Sequence, residues 1–562
     1  MEENPQFNLV HDPWVSCLMI DGTIQTLSLN DFFLRSSSIR RLAGELPTQD
    51  YAVLRLLLAI AYRSAPDVDA ADVSEVWGVL WRDQSQLTRM VLEYLEESRE
   101  DFELFDAVRP FMQVAGLHTS SGKVDGVRRL IADVPSGHQY FTTRAGSGLD
   151  SLSFAEAARW LIHTHAYDPS GIKSGAVGDP RVKGGKGYPI GTGWTGATGG
   201  IFFEGASMSE TIHLNLHLPS IAADVDGIDV PVWERDPLGA AEEQRVGGQP
   251  RPTGPVDVFT WPSRRVRLFP EKGRVRSVIV SNGDPLAIQN MDLDPMTAQR
   301  FSKPQTAKFR KAVYMPREHD PERTLWSGVG SLLIQTEKEA STDGEPVPIK
   351  VAPMILWVAR LGELGAIDSS RLFNVRLIGA EYGTQSSVIS EILDDGLAFH
   401  LSLLSDRSVT IRNVVRVAAA ETEAAVWAFG RFAGELSRAA GGEPESQREK
   451  ARQSVFFALN EPFRRWVSDL LGDEPGDVAA EWWNAEARRI LKEYATELLA
   501  VAGELALIGR SVGGEFISAA TAETWLNRSL RKHLPLKHEI EERERLRAVA
   551  DLKMHRPEGA KR

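Results

Sequence analysis

The glycine-rich stretch from Lys183 to Gly200, KGGKGYPIGTGWTGATGG, has the composition of a loop that could bind a ligand. A phosphate-binding Walker A loop requires G-x-x-x-x-G-K-[ST], which the chain lacks, and no clear strand–turn–helix context for a dinucleotide fingerprint surrounds the stretch. Without a Cβ atom, glycines can adopt positive φ and bring backbone close to a ligand. The stretch therefore predicts a close-approach loop or a set of tight turns, rather than a nucleotide cradle.

Two pairs of histidines are the nearest approach to a metal site. His163 and His165 lie in WLIHTHAYDP, and His213 and His217 lie in IHLNLHLP. A zinc site would need a third or fourth ligand, and nothing in the sequence specifies one. The single cysteine, Cys17, rules out both a multi-thiolate zinc site and an intrachain disulfide framework. We therefore expect no bound metal and no other cofactor.

Catalytic patterns are equally sparse. Serine and histidine are present, but nothing in their arrangement along the sequence identifies a nucleophile with its base. The paired carboxylates Asp394 and Asp395 stand at an apparent helix end without a visible partner. We expect that the chain is not an enzyme and has no catalytic residues. A nucleotide- or metal-dependent enzyme using the glycines and histidines is the alternative.

Basic residues are concentrated in three segments of an acidic chain, whose formal net charge is −13. Residues 172–187 carry a net charge of +3, residues 299–323 a net charge of +4, and residues 263–276 contain one acid among their basic residues. Nucleic-acid affinity depends largely on neutralising phosphates. The pattern favours a confined polyanion-binding surface, and the alternative is a set of solvated loop faces.

The elements that would position these residues change character along the chain. Asp21-Gly22 between two apolar stretches predicts a hairpin, and a helical region begins near Ser38, with its main helix after Pro47. A second helix is expected over residues 72–97, and short strands with long loops over 115–400. The fold class is α+β, with a mixed α/β domain over 1–404 and an all-α four-helix bundle over 405–562 that ends in a frayed basic tail.

The bundle helices are expected at 409–440, 446–471, 476–508 and 517–550, joined by short connections. Their aromatic residues should pack in the bundle core, although each could instead stack on a base. These residues are Trp427, Phe429, Phe456, Phe457, Trp466, Trp482 and Tyr494.

Membrane and secretory signals are missing from the sequence. No apolar run approaches the roughly 18 residues needed to cross a bilayer, and the start MEENPQFNLV has neither a basic stretch nor a hydrophobic run. We therefore expect a cytoplasmic protein without a membrane partner.

Several motifs, taken in order, resemble the CasA family, the large subunits of type I-E CRISPR Cascade complexes. They are FNLVHDPWV, IRRLAGELPTQDYAVLRLLLAI, RPFMQ, QYFTTRAG, AYDPSGIKSGAVGDPRVKGGKGYPIGTGW and PMTAQRFSKPQTAKF, followed by the helical C-terminal region. The likeness covers essentially the whole chain. It implies a subunit that recognises the protospacer-adjacent motif (PAM) of target duplex DNA, promotes duplex opening and R-loop formation, and docks the CRISPR helicase-nuclease. The implied partners are the other Cascade subunits, the crRNA, PAM-containing double-stranded DNA and that helicase-nuclease.

The resemblance also assigns site residues. The family reads the minor groove with a glycine loop, a lysine finger and a glutamine wedge; the finger matches Lys308, with Lys303 second, and the wedge matches Gln385. The neighbouring stretch 171–178 is the alternative position for the glycine loop. The best match to the loop is formed by Gly184, Gly185, Gly187, Gly191 and Gly193.

A further family element is a loop that contacts the 5′ handle of the guide RNA and the neighbouring subunits. Its place is occupied by Phe141, Thr142, Thr143 and Arg144. Some relatives carry a cysteine cluster in the middle domain, which this chain lacks, so a zinc-stabilised version of that region is not expected. A pure assembly scaffold without DNA readout is the remaining alternative.

Overall fold

Two compact units make up the chain, one formed mainly by residues before Leu397 and the other mainly by residues from Leu397 onward. The predicted domain boundary between residues 404 and 405 stays a prediction. The computed structural model describes residues 5–134, 144, 146–224, 226–243, 245–246, 249–317, 338–340, 346–348, 350–542 and 545.

The helices of the first unit are short, apart from a buried central helix. In chain order they are α1 Leu29–Leu34, α2 Pro47–Ser64, α3 Val73–Arg82, α4 Ser85–Glu97, α5 Phe154–Tyr167, α6 Trp194–Thr198, α7 Met208–Leu214, α8 Leu218–Ala222, α9 Pro255–Phe259, α10 Lys303–Phe309 and α11 Pro353–Glu363. Helix α2 begins with a proline, whose missing N–H is no loss in a first turn. Every residue from Tyr51 to Tyr62 is buried, so α2 forms the core of this unit.

The strands of this region form small sheets. They are β1 Val15–Met19, β2 Ile24–Leu27, β3 Ile39–Leu42, β4 Asp125–Gly126, β5 Lys173–Ser174, β6 Lys186–Gly187, β7 Gly200–Glu204, β8 Arg245–Val246, β9 Gln249–Pro250, β10 Arg264–Glu271, β11 Arg274–Asn282, β12 Gln299–Phe301, β13 Tyr314–Pro316, β14 Lys338–Ala340, β15 Pro346–Pro348, β16 Leu372–Tyr382 and β17 Ile389–His400. Three-stranded sheets have the orders β2-β1-β3, β10-β11-β4 and β17-β16-β7.

The secondary structure predicted for the first hundred residues is partly confirmed. The β1–β2 hairpin turns at Gly22, which has a φ of +86°, as the Asp-Gly pair predicted. The single helix expected over 72–97 is wrong, because α3 and α4 are separate. The carboxylate of Asp83 accepts hydrogen bonds from the N–H and hydroxyl of Ser85 and so interrupts the helix between them. The expected start of helix near Ser38 is also wrong, because residues 39–42 form β3.

The second unit is helical and is organised around one long helix. Its elements are α12 Val409–Ala440, α13 Pro444–Asp469, α14 Gly476–Val501, α15 Gly503–Ile508, β18 Arg510–Val512, β19 Glu515–Ile517 and α16 Ala519–His533. Helix α12 packs against α13, α14 and α16, and it ends at Gly441 in the left-handed conformation typical of a helix C-terminus. The mixed α+β fold class with a helical C-terminal region is confirmed.

Two of the predicted bundle helices are shorter than expected. The helix predicted over 476–508 breaks after Val501, where Gly503 has a φ of +77°, and a β18–β19 hairpin follows. The helix predicted over 517–550 begins at Ala519 and ends at His533. Pro535 follows this end, and helical structure resumes over residues 537–542. A proline cannot donate the N–H that would continue the helix.

The aromatic residues of the bundle divide into core and surface. Phe429 and Trp466 are buried as predicted, whereas Trp427, Phe457 and Trp482 are exposed, so a core position is wrong for these three. Phe456 and Tyr494 are half-buried.

The aromatic core of the bundle depends on residues that the prediction did not include. Phe463 and Trp483 are both buried there. Trp483 stacks on Trp466 with ring centroids 5.4 Å apart, and its indole N–H donates to the hydroxyl of Thr422 at 2.8 Å. The hydroxyl therefore satisfies the only polar atom that this indole carries into the core.

Candidate nucleic-acid interface

Residues 183–186 form a two-residue hairpin turn with a bare backbone tip. The Lys183 N–H donates to the Lys186 carbonyl at 3.0 Å, and the Lys186 N–H donates back at 3.1 Å. Gly184 and Gly185 have φ values of +58° and +71°, which is the type I′ geometry that residues with a Cβ rarely adopt. All four residues are exposed. The turn therefore presents backbone without side chains, flanked by two lysines.

The other predicted loop glycines have structural constraints of their own. A Cβ at Gly187 would lie 2.9 Å from the amide nitrogen of Asn282, and one at Gly193 would lie 2.4 Å from the backbone of α5. Gly191 has a φ of +105°, and its carbonyl accepts a hydrogen bond from Arg264 at 2.8 Å. Close packing explains Gly187 and Gly193. Gly184, Gly185 and Gly191 are exposed, and only the first two of these lie at the tip of the hairpin.

The alternative glycine stretch, 171–178, packs against this same hairpin. A Cβ at Gly175 would lie 2.6 Å from the Gly185 carbonyl, and the Gly175 N–H donates to that carbonyl at 3.1 Å. The β5–β6 pairing joins Lys173 to Gly187. The two candidate stretches are therefore one structure, in which the 171–178 segment supports the turn at Gly184 and Gly185.

Gln385 lies in the tight turn between β16 and β17, with its backbone in the left-handed region at φ +58° and ψ +23°. Ser386, with a φ of +53°, follows it in the same region. Backbone bonds close the turn, from the Gly383 N–H to the Val388 carbonyl at 2.9 Å and from the Ser386 N–H to the Gly383 carbonyl at 2.8 Å. The Gln385 side chain is exposed. An unfavourable backbone conformation held by such a turn is typical of functional positions.

A cleft of about 810 Å³ is lined by residues next to both candidate elements, although its described lining includes neither Gln385 nor the turn at 183–186. One side is lined by residues 125–134, which include Arg128 and Arg129. Asp168 and the segment from Pro169 to Lys173, which leads into β5, line another part. Residues 387–389, directly after Gln385, complete the lining. The sequence did not predict this cleft, since residues 387–389 lie more than 200 residues beyond its other lining segments.

Lys303 and Lys308 occupy the short exposed helix α10. The ammonium of Lys308 lies 5.4 Å from the ring centroid of Phe309, which is half exposed, and Arg310 follows with a φ of +54°. None of the described residues that line the cleft comes from α10. The helix therefore presents several cations to solvent on a separate element of the first unit.

The predicted guide-RNA loop lies largely outside the described residues, since Phe141, Thr142 and Thr143 are not among them. Arg144 is described, and its side chain is only 9% exposed. Its guanidinium forms ion pairs with Glu45 and with Glu156, the latter at 3.3 Å. These contacts fasten the residue to α5 and to the segment before α2.

The histidines that came nearest to a metal-ligand pattern each contact groups of the protein. His163 Nε2 lies 3.1 Å from the hydroxyl of Thr48, and His165 Nε2 lies 2.9 Å from the Met112 carbonyl. Burial lowers the pKa of His163 to about 3 and that of His165 to about 4, which leaves both neutral near pH 7. Within the described part of the chain, no three His, Cys, Asp or Glu side chains group as a metal site.

The histidines of the second pair are also engaged within the fold. His213 Nδ1 lies 2.8 Å from the Ser209 carbonyl, and His217 Nδ1 lies 2.6 Å from the Ser220 hydroxyl. Burial lowers the pKa of both rings, that of His217 to about 4.

Two arginines of the basic segment 263–276 do not belong to the exposed polyanion-binding face that its composition suggested, whereas Lys272 and Arg276 are exposed. Arg264 and Arg265 are fully buried. Arg264 pairs with Asp168 at 2.5 Å, and Arg265 pairs with Asp284 at 2.7 Å. The partners are remote in sequence, so composition alone could not reveal them.

The paired carboxylates at 394 and 395 do not stand at a helix end, because both lie in β17. Asp394 forms an ion pair with Arg376 of the neighbouring strand β16. Opposite charges on adjacent strands stabilise a sheet, so this pair belongs to the hairpin that carries Gln385.

The fold and the sequence both match known CRISPR-associated proteins. The crystal structure of Thermobifida fusca Cse1 aligns with a TM-score of 0.85 and 41% identity, over 95% of this chain and 99% of that one. The family model for CRISPR-associated protein Cse1 matches residues 8–494. The chain therefore belongs to the Cse1 family, also called CasA, as its motifs predicted.

Two further relatives extend the likeness. A CasA/Cse1 protein of Thermus thermophilus is 28% identical over 333 residues, 58% of this chain, and the match spans 60% of that relative's length. A chain of a solved CRISPR RNA-guided surveillance complex shares the fold, with a TM-score of 0.68, 19% identity, and coverage of 94% of this chain and 99% of that one. Among the described residues, no helix is long and apolar enough to cross a membrane.

Proposed function

We propose that this chain, as the Cse1/CasA large subunit of a type I-E Cascade surveillance complex, recognises the PAM in the minor groove of target DNA and promotes duplex opening. The proposal rests above all on Gln385. Its amide projects from a rigid exposed turn whose backbone is held in the left-handed region. A side chain inserted between base pairs must offset an unstacking cost of a few kcal/mol, and an amide can also satisfy base edges.

The turn at Gly184 and Gly185 supports the same proposal. The minor groove is only about 6 Å wide, so a backbone tip without side chains can enter where a larger residue would clash. Lys183 and Lys186 flank this tip, and phosphates border the groove on both sides. Lys308 on α10 supplies a mobile ammonium for the acceptors on base edges. Because the minor-groove pattern is degenerate, such a reader tolerates several PAM sequences.

The remaining roles are part of the same proposal and are supported by family membership. The partners are the other Cascade subunits, the crRNA, whose 5′ handle meets the loop at 141–144, and the CRISPR helicase-nuclease that degrades the target. The chain itself is non-catalytic and acts in the cytoplasm. In this division of labour the guide RNA reads the target sequence, and the protein reads the short motif beside it.

The test uses the assembled complex with its guide RNA and a gel-shift assay on duplexes with and without a PAM. Gln385→Ala and Lys308→Ala should weaken binding to the PAM duplex while guide RNA assembly is unchanged. Lys492→Ala, an exposed lysine on α14, is the matched control. A loss of preference for the PAM duplex would show base reading, whereas equal weakening on both duplexes would show phosphate contact alone. Equal binding by variants and parent would refute the assignments.

Two alternative functions can be distinguished from the proposed one by experiment. A nucleotide- or metal-dependent enzyme predicts tight binding of ATP, NAD or zinc to the isolated chain by calorimetry. A pure assembly scaffold predicts that crosslinking of the complex to PAM-containing DNA gives no products at the Gly184–Gly185 turn or at Gln385.

A further inference from the structure

An excess of positive charge is built into the wall of the 810 Å³ cleft. Asp168 accepts contacts from three cations: Arg264 Nε at 2.5 Å, Lys173 Nζ at 2.7 Å and Arg129 Nη1 at 3.2 Å. Asp168, Lys173 and Arg264 are almost completely buried. One carboxylate cannot neutralise three cations, so this cluster carries an excess of two positive charges.

The three cations differ in how they face the cleft. Arg264 is committed to the protein, since its guanidinium also donates to the carbonyls of Ser263, Asp168, Pro169 and Gly191. Lys173 is also committed, since its ammonium donates to the Pro169 carbonyl at 2.6 Å and its side chain is only 3% exposed. Arg129 lines the cleft, and its side chain is 29% exposed. Arg129 therefore holds its ion pair with part of its guanidinium and leaves the rest accessible.

The electrostatics of Lys173 reflect the same excess. Burial lowers its pKa to about 8; Asp168 opposes this effect, and the guanidiniums of Arg129 and Arg264 reinforce it. Buried charges that lack a counter-ion destabilise a fold, and a bound anion relieves that cost. Arg128, 56% exposed and paired with Asp150, adds a further cation at the cleft, while Asp125 is a second carboxylate in the lining.

We propose that this cluster is a phosphodiester-binding site, in which Arg129 contacts a phosphate of a single nucleic-acid strand inside the cleft and the buried Lys173 and Arg264 add positive potential behind it. A guanidinium offers the paired donors that match phosphate geometry. A cleft of this volume is within the range of about 300–1,000 Å³ typical of ligand pockets. Residues 387–389, which follow Gln385, line the same cleft, so a strand parted from its complement at that turn would meet these cations next. This last step rests on the proposed function.

The experiment uses the assembled complex and the variant Arg129→Gln, which removes the charge and keeps hydrogen-bonding capacity. Arg264 and Lys173 still neutralise Asp168, so the fold should persist, as checked by circular dichroism. The DNA probes are a fully paired PAM duplex and one with a pre-opened bubble. At physiological salt we expect affinity to fall about tenfold, the value of a charged hydrogen bond, and the slope of log K against log salt to decrease by about one contact.

Three further variants make the result specific. Arg129→Lys should retain the salt slope, since it keeps the charge. Arg128→Gln, at a more exposed position of the lining, should cause a smaller loss. Arg89→Gln, an exposed arginine on α4, should behave like the parent.

Two arms identify the source of the phosphate. If Arg129→Gln weakens DNA binding alone, the bound strand is target DNA. If it weakens incorporation of the chain into a subcomplex that already holds the guide RNA, the strand is the guide. Unchanged binding and salt slopes in both arms would overturn the phosphodiester site. If the unaltered complex binds duplexes with and without a PAM equally, the proposed function fails, whatever the effect of Arg129→Gln.

Discussion

The turn at Gln385 allows stability and DNA engagement to be separated by a single substitution. Replacing Gln385 with glycine removes the amide and also the side chain that disfavours a φ of +58°. The left-handed region costs a residue with a Cβ about 1–2 kcal/mol. Glycine also makes the unfolded chain more flexible, which lowers the free energy of unfolding by roughly 0.4–1 kcal/mol and offsets part of this gain. We therefore expect Gln385→Gly to stabilise the first unit by about 0.5–1 kcal/mol.

The backbone bonds of the turn should survive this change, because they join Gly383 to Val388 and to Ser386 without using the Gln385 side chain. For a unit of this size the gain corresponds to a melting temperature higher by roughly 1–2 °C, measurable by differential scanning calorimetry. Target-duplex binding by the assembled complex should fall about tenfold or more, since the unstacking cost of a few kcal/mol is no longer offset.

Ser386→Gly is the matched control, because Ser386 has nearly the same backbone strain, with a φ of +53°. It should stabilise the unit by a similar amount and leave DNA binding unchanged. If both glycine variants lose binding equally, rigidity of the turn is the cause and the amide has no specific role. A Gln385→Gly complex that binds like the parent would refute the wedge.

Three further predictions concern the buried polar groups. Arg55→Met removes the ion-pair partner of the fully buried Asp294 carboxylate, which lies 2.9 Å from Arg55. Denaturant unfolding of the first unit should show a loss of about 3–5 kcal/mol in the free energy of unfolding. A loss below about 1 kcal/mol would contradict an uncompensated buried charge. Thr422→Val leaves the indole N–H of Trp483 unsatisfied and should destabilise the second unit by about 1–3 kcal/mol, whereas Thr422→Ser should retain the bond. Burial lowers the pKa of His165 to about 4, so the unfolded chain binds a proton that the folded chain does not between about pH 6.5 and 4. Stability should therefore fall with decreasing pH across this window, by up to about 1.4 kcal/mol per pH unit for this group, and His165→Gln should remove that part of the slope in urea titrations.

Local signals predicted much of the fold. The Asp-Gly turn of β1–β2 and the helical periodicities after Pro47 and Val409 each depend on neighbours in sequence, and the structure contains all three elements. Helix breaks were harder to predict, because the break before α4 is accompanied by hydrogen bonds from Ser85 to the Asp83 carboxylate, which the apolar periodicity on either side conceals.

The candidate site could be predicted only in part. Glycine composition marked the hairpin at 183–186, but packing decides which glycines are exposed, and Asn282, almost a hundred residues away, sets the constraint at Gly187. The left-handed backbone of residue 385 could not be predicted, because a glutamine does not favour that conformation. The positively charged cluster at the cleft forms because Arg129 and Lys173 contact Asp168 in the folded chain, and no sequence periodicity predicts these contacts.

The cleft also has a consequence for the order in which the protein matures. Its lining joins residues 125–134 and 163–173 to residues 387–389, and β16 pairs with β7 across a similar stretch of chain. At synthesis rates of 5–20 residues per second, the first two segments wait roughly 10–40 s for the third. Nascent chains should therefore form helices α2 to α5 well before the cleft is complete, while helices α12 to α16 are still to be synthesised.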